Sequence, residues 1–117
     1  MRNFKELKIW QKGFDISINS YKLVETFPQT EKYSLAQQIT RAAVSIPSNI
    51  AEGSSRSSAK EYNRYLEISL GSSFELETQY LIAKELNFGD QELVVNGLKQ
   101  LDEEQKMIIA FQKKIML

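Results

Sequence analysis

Arg41, Ser45, Asn49 and Glu52 follow one another at steps of three or four through RAAVSIPSNIAEG, so a helix would set them along one flank. A guanidinium, a hydroxyl, an amide and a carboxylate in that order suggest a nucleophile with a base, yet no nucleophile here sits beside an obvious base. The chain also has no histidine and no cysteine. That removes imidazole bases, thiolates, disulfides and nearly all zinc, haem and iron–sulfur ligation. Two roles remain for the ladder. It is a partly buried network, in which Asn49 or Ser45 satisfies backbone freed at Pro47 while Arg41 and Glu52 pair with a neighbouring helix, or it is a ligand site at the same place.

Carboxylates offer little more. Glu75 and Glu77 stand two apart and point in different directions on a helix. A nuclease using Glu52, Glu77 and a divalent ion is the enzymatic alternative, but spacing alone does not pair those groups. The expectation is a non-enzymatic protein with no cofactor and no metal.

Phosphate contact asks less of spacing, because it needs only accessible cations. Lys5, Lys8 and Lys12 share one helical face, and Arg56, Lys60 and Arg64 are four apart in a second stripe. Tyr62 and Tyr65 lie beside that stripe and could stack on bases, although tyrosine at core spacing is more often core. The formal charge is zero but uneven, about +4 over residues 1–64 and about −4 over residues 65–117. Neutrality argues against a dedicated duplex-DNA binder and permits one basic face. Nucleic acid through these six cations is one expected partner, and the alternative is a protein partner recruited as by an adaptor.

The elements that must position these groups are helical. Leu7, Trp10, Phe14, Ile18, Tyr21 and Val24 make a stripe over residues 4–27 that Pro28 ends. SLAQ from Ser34 is a capping box, and Leu35, Ile39, Ala42, Ala43, Ile46 and Ile50 form the second stripe, with Gly53 as a left-handed stop. A second capping box at Ser58 opens a helix to about Asn87; Asp90 caps a fourth that ends in Lys113 and Lys114. Pro47 frees the carbonyl of Ala43 at a cost of about 3 kcal/mol or more. Because the apolar spacing passes through it unbroken, a single kinked helix is expected over one that ends near Ser45 and restarts. Nothing alternates with period two. The fold class is therefore all-α, an antiparallel up-and-down four-helix bundle kinked at Pro47, one domain over residues 1–117.

Two features suggest association. Gly71 costs about 1 kcal/mol in mid-helix, which close approach by Ala42 and Ala43 or by a second subunit would justify. The apolar set of the fourth helix, from Val94 to Met116, is wider than one seam needs and points to an intersubunit face. The charged start MRNFKELKIWQKG lacks a signal-peptide core, and no membrane partner is expected. A cytoplasmic location fits the absence of cysteine.

LKIWQKGFDI, FPQTEKYSLAQQITRAAVSIPSNIAEG and YLEISLGSSFELETQYLIAKEL together resemble the four-helix bundle family of 23S rRNA intervening-sequence proteins. The resemblance reaches to about Leu86, with the fourth helix matching in pattern only. It implies an up-and-down bundle assembled as a ring-shaped homopentamer and no particular biochemical activity. The chain is also similar to the accessory variability proteins of diversity-generating retroelements, basic pentamers that bind a reverse transcriptase and nucleic acid. This chain departs from them in being neutral.

Overall fold

A computed structural model describes residues 3–117. A 3-10 turn at Phe4–Glu6 leads into α1 (Lys8–Glu25), followed by α2 (Leu35–Ser54), α3 (Ala59–Glu85) and α4 (Gln91–Ile115). Each helix packs on the next and α4 closes against α1, so α1 and α3 stand diagonally across an antiparallel bundle about 45 Å long. No strand occurs among the described residues.

The apolar stripe of α2 lies in the core, but the one read for α1 does not: Phe14, Ile18 and Tyr21 are exposed, Leu7, Trp10 and Val24 are half-buried, and the inward face of α1 is set by Ile9, Ile16 and Leu23. Ile16 and Leu23 of α1, Ile39, Ile46 and Ile50 of α2, Leu66, Leu76 and Tyr80 of α3, and Leu101 and Ile108 of α4 are fully buried. The helix starts differ in how they are capped. Ser58 accepts from the Glu61 amide and Asp90 from the amides of Glu92 and Leu93, satisfying donors that the helix leaves open. Ser34 precedes α2 without a side-chain bond to it, so the expected capping box is not made. Gly53 does not stop α2 in the left-handed region either. It lies inside the helix, where a Cβ would come within 2.7 Å of the Cβ of Tyr65, and its role is to let α3 start close by. The left-handed turn is made instead at Asn87 and Gly89 between α3 and α4. There Thr26 Oγ1 accepts from the Asp90 amide at 2.8 Å, and Phe27 meets Phe88 edge-on.

α2 runs through Pro47 as one helix, with the proline buried. The Ala43 carbonyl that proline frees accepts a hydrogen bond from Ser17 Oγ of α1 at 2.9 Å. Neither Ser45 nor Asn49 performs that task; the donor comes from a different helix. One turn away, Ser69 Oγ of α3 donates to the Ile46 carbonyl at 2.9 Å. Both bonds lie in the buried waist, where an unanswered carbonyl would cost about 1–3 kcal/mol.

Candidate nucleic-acid interface

Antiparallel topology brings the start of α1, the end of α2, the start of α3 and the end of α4 to one end of the bundle. The contacts bear this out: Tyr62 of α3 meets Phe111 of α4 edge-on at 5.6 Å, and a cleft of about 410 Å³ separates Leu7, Lys8 and Ile9 from Met107, Phe111 and Lys114. The six cations therefore share an end, although neither set is one helical face: Lys5 lies in the 3-10 turn before α1, across the extended Leu7, and Arg56 lies in the connector before α3. Lys113 and Lys114, whose place in the sequence suggested only a favourable helix terminus, join them there. Glu6, Glu52 and Glu61 lie among these cations, and the opposite end mixes Glu25, Glu31, Glu85, Asp90 and Glu92 with Lys22, Lys32 and Lys84.

The cations differ in availability. Lys12 is half-buried and pairs with Glu103 at 3.5 Å. Arg56 pairs with Glu52 at 3.0 Å, donates to Tyr65 Oη at 2.8 Å, and lies over the Tyr65 ring. Such stacking fixes the guanidinium plane and occupies the ring face that a base would use. Lys5, Lys8, Lys60, Arg64, Lys113 and Lys114 are exposed and make no ion pair among the described residues. Tyr62 is a core residue, fully buried against Phe111.

The polar ladder of α2 divides. Ser45 Oγ and Ser72 Oγ share a hydrogen at 2.8 Å, and Asn49 Nδ2 donates to both the Ser45 carbonyl and its hydroxyl. Glu52 belongs to the basic end through Arg56, whereas Arg41 is exposed and without an ion pair among the described residues. Glu77 accepts from Gln105 at 2.8 Å in the seam of α3 and α4, so Glu52 and Glu77 serve separate contacts. Among the described residues no three histidine, cysteine, aspartate or glutamate side chains gather as metal ligands. No helix among them is long and apolar enough to cross a membrane.

Two buried polar groups lie outside the candidate site residues. Tyr80 Oη accepts from Asn19 Nδ2 at 3.0 Å and shares a hydrogen with Ser20 Oγ at 2.8 Å; burial raises its pKa against these two bonds. Glu104 of α4 is fully buried with neither carboxylate oxygen hydrogen-bonded. It fills space left by Gly13, where a Cβ would stand 3.0 Å from Glu104 Oε2 and 3.4 Å from the Pro47 nitrogen. Desolvation pushes the carboxyl up to about 8, against the opposing field of Lys12. The signal was present in its register, since Leu101, Glu104 and Ile108 share one stripe.

A model of the 23S rRNA-intervening sequence protein family matches residues 5–110. The chain belongs to that family. Among solved structures, a protein of unknown function from the S23 ribosomal protein family of Bacteroides thetaiotaomicron is similar in fold, with a TM-score of 0.80 at 20% identity. The match covers 90% of this chain and 98% of that one. No curated protein matches.

Proposed function

We propose that this protein is a non-enzymatic, self-assembling scaffold, a homopentamer as the family resemblance implies, whose basic end holds the sugar-phosphate backbone of RNA or DNA. The observation that carries this reading is the convergence of Lys5, Lys8, Lys60, Arg64, Lys113 and Lys114 on one end of a neutral chain. These side chains are exposed and outside any ion pair among the described residues, suited to phosphate contact, so binding is expected to be tolerant of sequence. Lys12 and Arg56 already hold carboxylates and contribute less.

The test is binding of a labelled single-stranded RNA and its DNA counterpart across a salt series. Affinity should fall steeply as salt rises, and Lys8→Glu with Lys60→Glu and Arg64→Glu should abolish binding while helicity is kept. Binding that ignores salt, or survives charge reversal, would refute the nucleic-acid role.

A further inference from the structure

The wide apolar set of α4 is only partly enclosed by the bundle. Val94, Leu101 and Ile108 are buried, whereas Met107 and Phe111 are half-buried and border the cleft of about 410 Å³ at the basic end. Leu7 and the buried Ile9 line it from the α1 side. That volume lies within the roughly 300–1,000 Å³ of small-molecule sites. The cleft is open to solvent, so a group still attached to a longer chain can enter it.

The charges around the cleft narrow what that group can be. Lys8 stands on the α1 side and Lys114 on the α4 side, both exposed and outside any ion pair among the described residues. Glu6 stands at the rim, exposed and likewise outside any such pair. An apolar slot with a cation on each side fits a flat apolar group that carries an anion on both flanks. A base within a strand is such a group, because a phosphate lies on either side of it. An acyl chain carries its charge at one end only, and that anionic head would meet Glu6. A base instead offers N–H donors on its Watson–Crick edge, which the Glu6 carboxylate can accept.

Stacking needs an aromatic ring that is both accessible and fixed. Tyr62 is in the core and Tyr65 lies under Arg56, so neither serves. Phe111 keeps part of its ring on the cleft, and its edge-on contact with Tyr62 at 5.6 Å holds the ring in place. A side chain already held loses little freedom when a ligand settles on it.

We infer that this cleft takes one unstacked base of a single strand against Phe111, with the phosphates on either side of that base held by Lys8 and Lys114. The inference rests on the nucleic-acid role proposed above and adds a contact that the cations alone do not make. It keeps the expected tolerance of sequence, because every base has a face that stacks. A duplex, whose bases are already paired and stacked, would have to open to fill the cleft.

The experiment is a fluorescence-anisotropy titration of the full chain against two labelled strands of equal length: oligothymidylate, and a strand of stable abasic sugars. Their phosphates are alike, so the difference between them reads the base alone. The wild type should bind oligothymidylate about tenfold more tightly, with the same salt dependence for both strands. Phe111→Leu removes the ring and should bring oligothymidylate down to the level of the abasic strand. Because Phe111 also packs on Tyr62, Ala110→Leu gives a second variant: Ala110 is exposed and lines the cleft, so the added carbons occupy the slot while every core contact is kept. It should cause the same loss with helicity unchanged by circular dichroism. Equal affinity of the wild type for the two strands, or a preference that survives Ala110→Leu, would overturn the base site, while a steep salt dependence would leave the phosphate role standing. Failure of both strands to bind at low salt would overturn that role and this inference with it.

Discussion

The waist of the bundle and the outer face of α3 both contain residues that a helix ordinarily avoids, and they resolve them differently. At the waist, Pro47 is answered by Ser17, while Gly97 admits Tyr80, whose ring carbon Cε2 would lie 2.1 Å from an added Cβ. On the outer face a Cβ added at Gly71 would meet nothing within 4 Å. A glycine is therefore interpretable only with its surroundings: Gly97 records a contact inside the chain, and Gly71 records none there. Glu104 is the exception within the waist, a carboxyl enclosed without a hydrogen-bond partner.

The largest effect that would sharpen this contrast concerns Glu104. Its carboxyl binds a proton up to about pH 8 when folded, against an ordinary value of 4.5, so the folded state holds the extra proton in that window. This contribution to stability is therefore fully present below about pH 4.5 and is lost as pH rises towards 8, on the order of 5 kcal/mol in all. Urea unfolding at several pH values should show this fall, and Glu104→Gln should flatten it. A wild type equally stable at pH 5 and pH 8 would show that the acid has found a partner.

Next in size is Gly97→Ala. The methyl group meets Tyr80, itself held by Ser20 and Asn19, so overpacking should outweigh the gain in helix propensity and cost about 2 kcal/mol net by denaturant titration. Ser17→Ala should cost about 1–2 kcal/mol, since it leaves the Ala43 carbonyl buried without a donor. A smaller loss would mean that water replaces the hydroxyl. The smallest effect has the opposite sign: Gly71→Ala should stabilise by up to about 1 kcal/mol. Destabilisation there would break the comparison, because it would reveal a contact at Gly71.

The basic end shows why part of the site is legible in the sequence. Lys5, Lys8, Lys12, Arg56, Lys60 and Arg64 stand out in two stripes because helical spacing is local. That the stripes share an end follows from up-and-down topology, and the same argument places Lys113 and Lys114 with them. Availability is not legible there. Lys12 and Arg56 are occupied by Glu103 and Glu52, and the first of these pairs joins residues from α1 and α4.

The sequence by itself determined the four helices, the two side-chain-capped starts at Ser58 and Asp90, and the passage of α2 through Pro47. Each depends on residues within a few positions of one another, where backbone hydrogen bonding and side-chain periodicity act. Only the tertiary structure decided that Ser17 answers Ala43, that Tyr62 is core, and that Glu104 is enclosed without a hydrogen-bond partner. It also decided that Val94, Leu101 and Ile108 of α4 turn inward while Ile68, Phe74, Leu81 and Ile82 of α3 remain exposed. Periodicity marks a residue as apolar or polar, but burial depends on what the other helices bring against it, and that information lies in residues far along the chain.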